Sequence, residues 1–271
     1  MYQSSQPPIL SRVLSRLQAP TAPWADSEIA ATDTNTDTTP VVLIHGTAGN
    51  RTNFEESAPV IKTTGRPVLS VSYGHRGTVD IRWSLEEIVA ALTTLTDRYG
   101  SVDLVGHSQG GLLSLAASGI LGDRINHVIG LAADFRGVAR PWFRPPESPL
   151  LRRIDRAVSP AFADQLIGSE ALAGVLPHTA DSSVPVTQIY TRYDRIVPAD
   201  RALAFIGDDE LTGIPAHRGP VRAVAVQEHY PDARVGHAAL PHRGYVGSIV
   251  VDALATAAVA TSSSASSLSA A

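Results

Sequence analysis

Short apolar-rich runs recur along the middle of this chain and alternate with segments of helical periodicity, which restricts it to a layered arrangement of strands and helices. The runs are Val41 to Ile44, Val68 to Tyr73, Val102 to Val105, Ile125 to Leu131, Val184 to Tyr190 and Val221 to Val226. Runs with few polar positions fit strands buried on both faces, as in a parallel sheet. Between them, Asn53 to Thr64 and Gly111 to Leu121 have helical length, and helices are also expected near Ala199 to Ile206 and from Tyr245 to about Val259. Ser84 followed by Glu87 fits a capping box, and Leu85, Ile88, Val89, Leu92 and Leu95 then form one face up to Gly100. The expectation is an α/β fold, a mostly parallel central sheet with helices on both faces.

The rhythm breaks between Phe135 and Asp181, where Pro141, Pro145, Pro146, Pro149, Pro160 and Pro177 interrupt two short helix candidates. This reads as a cap- or lid-like insertion, about residues 138–181, over one end of the sheet. The expected organisation is an extension and linker at 1–39, one domain at 40–260 and a flexible Ser/Ala tail at 261–271. Arg12 and Arg16 stand at helix-like spacing among Ile9, Leu10, Val13, Leu14 and Leu17, without the unbroken apolar run of a secretory signal. As written the chain reads as cytoplasmic, or as secreted if its true start differs.

Of 271 residues, 44% are hydrophobic and 18% charged, and mean hydropathy is +0.03. That balance excludes both a disordered chain and a polytopic membrane protein. A net charge of −4, with Lys62 the single lysine, gives no polycationic surface for nucleic acid. The absence of Cys removes disulfides, thiolate nucleophiles and Cys-ligated zinc together. No cofactor and no metal are expected.

Gly106, His107, Ser108, Gln109 and Gly110 match G-x-S-x-G, in which small flanking residues let a tight strand-to-helix turn expose a serine hydroxyl. Five residues recur by chance, so context carries the case: an apolar run precedes the turn, and Leu112, Leu113, Leu115 and Ala116 open a helix after it. A serine hydroxyl is a poor nucleophile at neutral pH and needs an imidazole oriented by a carboxylate. In this architecture the acid and then the His follow the Ser, each after a late strand. Asp194 and His237 stand at those places. Asp134 competes as acid, and His229 and His242 compete as base. His45, His75, His127, His178 and His217 read as structural or solvent-exposed. Hydrolysis of an acyl bond also needs N–H donors for an oxyanion. Gln109 supplies one by position, and Thr47, in the His45, Gly46, Thr47, Gly49 turn, is the choice for the second, with its hydroxyl as a further donor.

Together these residues resemble the α/β-hydrolase superfamily, and within it bacterial lipases and the Candida antarctica lipase B type, from about Pro40 to Val259. The likeness rests on the His45–Gly46–Thr47 turn, the Ser108–Gln109–Gly110–Gly111 elbow, Ala132 to Gly137, Gln165, Gly168, Ser169 and Leu172, and the Asp194, Ile196, Val197 loop. The resemblance implies the α/β-hydrolase fold, a Ser108, Asp194, His237 triad, and an oxyanion hole of Thr47 and Gln109. It also implies a substrate pocket lined by Asp134, Val138, Phe162, Gln165 and Ile196. His107 stands where that type carries Trp.

The resulting expectation is a serine lipase or carboxylesterase cleaving medium- to long-chain acyl esters without a cofactor. Its partner is an ester or lipid substrate, with no nucleic acid and no integral membrane segment. Leu150, Leu151, Ile154, Ala157 and Val158 beside Arg152, Arg153 and Arg156 fit a helix at a lipid–water interface or one packed over a pocket. The alternatives are an acyltransferase with the same triad and a non-catalytic ligand receptor on the same fold.

Overall fold

The structure is a computed structural model that describes residues 38–139 and 159–268, with 257–268 as backbone only. Six strands form one sheet: β1 (Val41–Ile44), β2 (Val68–Val71), β3 (Val102–His107), β4 (Ile125–Leu131), β5 (Val186–Tyr190) and β6 (Val221–Ala225). Every neighbouring pair is parallel, in the order β2-β1-β3-β4-β5-β6. The helices are α1 (Ser57–Lys62), α2 (Ile81–Tyr99), α3 (Gln109–Leu121), α4 (Pro160–Asp164), α5 (Glu170–Asp181), α6 (Ala199–Ala202), α7 (Val226–His229) and α8 (Gly244–Leu268).

Alternation along β1 divides the core. Val42 and Ile44 join the apolar cluster that includes the inner faces of α2, α3 and α5, whereas Val41 and Leu43 join the one beneath α1 and α8. All four are fully buried, which accounts for the unbroken apolar run. Strand order reverses direction at β1, which lies between β2 and β3. In a doubly wound sheet the crevice beyond the strand C-termini at such a reversal is where ligands sit. The turns after β1 and β3, carrying Thr47 and Ser108, flank that crevice.

Three expectations change. The long helix begins at Ile81, not at the Ser84/Glu87 box: Asp80 caps it by accepting from Arg82 N at 2.9 Å, and Ile81 is fully buried. Ser84 is buried one turn inside, and Glu87 instead accepts from Gly74 N at 2.7 Å. The part of the expected insertion that forms α5 is no cover over the end of the sheet. Leu172, Val175 and Leu176 enter the core, and α5 crosses α3 so closely that a Cβ on Gly119 would lie 1.9 Å from the His178 carbonyl oxygen. At the C-terminus the helical backbone continues to Leu268, through most of the segment read as a tail, although that stretch is rich in serine and holds a single alanine, Ala265. The apolar stripe at Leu150 to Val158 and the apolar segment around Arg12 lie outside the described residues. Among those described, no helix is long and apolar enough to cross a membrane.

Candidate active site

Ser108 follows β3 directly and opens α3, with φ 52° and ψ −126°. A residue with a side chain pays about 1–3 kcal/mol for such backbone, so the fold must hold it there. Ser108 N donates to Leu131 O at 3.0 Å, and Ser108 O accepts from Gly111 N at 2.8 Å. The flanking glycines are required by close approach. A Cβ on Gly106 would lie 2.5 Å from the Gly110 carbonyl oxygen, and one on Gly110 would lie 2.4 Å from Ile44 O and His45 O.

His237 begins the 3-10 turn His237–His242, and Asp194 lies in the loop after β5. Asp194 Oδ2 is 2.8 Å from His237 Nδ1, and His237 Nε2 is 2.9 Å from Ser108 Oγ. An ionised carboxylate only accepts, so Nδ1 of His237 carries the proton, and Nε2 of the neutral ring then accepts from the serine hydroxyl. The other carboxylate oxygen of Asp194 accepts from Ile196 N at 2.8 Å and Val197 N at 2.9 Å. Both oxygens are therefore engaged and the acid is fixed.

Thr47 Oγ1 accepts from two side-chain amides, Gln109 Nε2 at 3.1 Å and Gln165 Nε2 at 2.9 Å. Gln165 Nε2 also donates to Ala161 O at 2.7 Å, and Tyr73 OH approaches both Gln109 Oε1 at 3.0 Å and His45 O at 2.7 Å. A hydroxyl has two lone pairs and one proton, so with both lone pairs used Thr47 keeps its O–H to donate. The Gln109 main-chain amide opens α3, where amides have no intrahelical acceptor.

A cavity of about 390 Å³ opens at Ser108 and His237. Thr47, Asp134, Val138, Phe162, Gln165 and Ile196 all line it. Phe162 and Ile196 are 47% and 59% exposed, at its rim. Val138 is tied to the Gln165 wall, since Val138 N donates to Gln165 O at 2.9 Å and Ile167 N to Val138 O at 3.0 Å. The turn that carries Asp134 and Val138 is held from behind. Buried Arg136 donates to Thr179 Oγ1 at 2.7 Å and Pro215 O at 3.0 Å, and Arg201, paired with Asp209 at 3.0 Å, donates to Arg136 O at 2.8 Å.

Asp134 is 1% exposed, and neither of its carboxylate oxygens has a hydrogen-bond partner among the described residues. Burial pushes its pKa up to about 6. It does not meet His237, whose ring nitrogen is taken by Asp194. Of the competing histidines, His229 lies on α7, away from the cavity, and His242 lines the cavity but faces Asn53. His45 stacks on Tyr73 at 4.5 Å, and burial lowers its pKa to about 4. Among the described residues no group of three or more His, Asp or Glu is placed to hold a metal ion.

Tyr73 and Asn53 carry no sign of a site role in the sequence, and His242 stands there only as a competing base. In the sequence Tyr73 is the end of an apolar run, although a position just past a strand C-terminus is where site residues gather. Asn53 and His242 come together across 189 positions, which no local pattern reports.

Solved structures share this arrangement of strands and helices. Aspergillus fumigatus lipase B is 19% identical with a TM-score of 0.64, over 84% of this chain and 55% of that one, so this chain spans about half the length of that lipase. A structure from the metagenome-derived lipolytic enzymes LipS and LipT is 18% identical, TM-score 0.54, over 81% and 93% of the two chains. Est1E from Butyrivibrio proteoclasticus, with ferulic acid bound, is 14% identical, TM-score 0.55, over 84% and 92%. At such identities these matches speak for the fold. No curated protein matches the chain. The model of the alpha/beta hydrolase family matches residues 41–257, which takes in all six strands, and the chain belongs to that family.

Proposed function

We propose that this α/β hydrolase is a serine lipase or carboxylesterase acting on medium- to long-chain acyl esters. The observation that carries the reading is the unbroken hydrogen-bond series from Ser108 Oγ through His237 to Asp194 at the mouth of an apolar-walled cavity. Ser108 Oγ attacks the ester carbonyl carbon while His237 Nε2 takes its proton, and Asp194 stabilises the imidazolium that forms. The oxyanion receives hydrogen bonds from the Thr47 and Gln109 amides and from the Thr47 hydroxyl, donors worth about 3 kcal/mol each in acyl transfer. Collapse expels the alcohol, which takes the proton from His237 Nε2 and leaves an acyl-enzyme on Ser108. Water, deprotonated by the same nitrogen, then releases the acid and restores the serine.

Val138, Phe162 and Ile196 give the acyl chain an apolar wall, which supports chains longer than acetate. The ligand-receptor alternative predicts a broken series of hydrogen bonds and is disfavoured by the intact one. A fluorophosphonate probe should label Ser108 in the native protein and fail on Ser108→Ala. In a profile of p-nitrophenyl esters, medium and long acyl chains should turn over faster than acetate. Absence of labelling together with absence of ester turnover would overturn the proposal.

A further inference from the structure

Asn53 and His242 form a polar pair on the cavity wall that the reaction steps leave unused. Asn53 Oδ1 is committed, accepting the Asn50 amide at 2.6 Å, so its amide nitrogen is turned the other way, 3.5 Å from His242 Nε2. That separation is at the outer limit of a hydrogen bond and leaves both groups weakly used. His242 Nδ1 lies 3.8 Å from Glu55 Oε1, which favours the proton on Nδ1 and leaves Nε2 as an acceptor. The pair therefore offers one donor, Asn53 Nδ2–H, and one acceptor, His242 Nε2, side by side. A hydroxyl group both accepts and donates, and complements them together.

The pair also stands on a definable side of the reacting centre. His237 Nε2 must hand its proton to the departing oxygen, so the alcohol leaves along His237. His242 ends the same 3-10 turn that His237 begins, and Ser57 Oγ anchors that turn by donating to Pro241 O at 2.7 Å. The Val138 and Gln165 wall belongs to other elements, which leaves the acyl chain to them.

We propose that Asn53 and His242 form a leaving-group subsite for alcohols that carry a second, free hydroxyl, as in monoesters of glycols, glycerol and other polyols. The subsite rests on the ester-hydrolase reading. Its test compares three octanoate esters, of ethanol, of ethylene glycol and of 2-methoxyethanol, in the native protein and in His242→Phe. The 2-methoxyethyl ester can accept from Asn53 but has nothing to donate to His242. The native enzyme should show kcat/KM about tenfold higher for the 2-hydroxyethyl ester than for the ethyl ester, with the 2-methoxyethyl ester close to ethyl. In His242→Phe the ratio of hydroxyethyl to ethyl should fall to about one. Hydrolysis of all three esters at equal efficiency by the native enzyme overturns the subsite alone, and this arm decides even if the variant does not fold. A hydroxyl preference that survives in folded His242→Phe also overturns it. No hydrolysis of any ester overturns the hydrolase reading and the subsite with it.

Discussion

The imidazole of His107 donates its Nε2–H to the main-chain carbonyl of His237 at 3.0 Å. The residue in front of the proposed nucleophile thereby holds the backbone of the proposed base. Burial, with His237 close by, lowers the His107 pKa well below its ordinary value, so the ring stays neutral. The carbonyl accepts, so Nε2 bears the ring proton.

His107→Phe removes that donor and leaves the His237 carbonyl without it, at a cost of about 1–3 kcal/mol in folding stability. If the bond positions the base, kcat should fall about tenfold with KM little changed. His107→Gln, whose amide can reach the same carbonyl, should recover part of both. Urea titrations read alongside steady-state kinetics check this; a full loss of stability with unchanged kcat would reduce His107 to a packing residue.

The backbone at Ser108 gives a second test. Ser108→Ala keeps a Cβ in the left-handed conformation, while Ser108→Gly removes it. Both variants should lose at least about three orders of magnitude in ester turnover. The glycine variant should nevertheless be more stable than the alanine variant by about 1 kcal/mol, the strain released less the added freedom of the unfolded chain. A glycine variant no more stable than the alanine variant in chemical denaturation would show that the strain at this turn does not exceed the added freedom of the unfolded chain.

At Thr47 the amide and the hydroxyl can be separated. Thr47→Val keeps the shape and the main-chain N–H but removes the hydroxyl, and it strands the amides of Gln109 and Gln165. If that hydroxyl reaches the oxyanion, kcat should fall about 100-fold. Thr47→Ser should stay within about tenfold of the native enzyme. Equal kcat for the Val and Ser variants would remove the hydroxyl from the mechanism.

The parts of the site that were legible in the sequence are those that local physics specifies. Val41 to Ile44 and Val102 to Val105 are buried on both faces, so composition alone marks them as strands, and Gly106 and Gly110 stand where backbones nearly touch. Chain order in a sheet of this kind points to Asp194 and His237 but leaves Asp134, His229 and His242 as competitors, and it is the folded chain that puts Asp194 against His237 Nδ1. The start of α2 did not follow, because Asp80 and Ser84 are both good caps and burial of Ile81 decides between them. Tyr73 and the Asn53–His242 pair were hidden because each acts on residues far away in sequence, and only the folded sheet sets those distances.

The two acids make opposite predictions. Asp194 holds His237 Nδ1, so Asp194→Asn should cost up to about 10⁴ in kcat on every ester tested, by favouring the wrong tautomer. Asp134 lines the cavity without touching the base, so Asp134→Asn should change chain-length preference or KM, with kcat altered by about tenfold at most. Stability separates them further. The folded pKa of Asp134, about 6, lies above the ordinary 3.8, so the folded state binds the proton more tightly than the unfolded chain does. Below pH 3.8 the group is neutral in both states and costs nothing; between there and about pH 6 stability falls as pH rises, and above that the loss is complete. A shift of that size corresponds to about 3 kcal/mol. Asparagine cannot ionise, so Asp134→Asn should be more stable than the native protein at pH 8 by up to about 3 kcal/mol, an advantage that holds down to about pH 6 and then shrinks toward pH 4. Denaturation midpoints of both proteins across that range measure it. A constant difference at every pH would mean that Asp134 finds a partner in solution that offsets its burial.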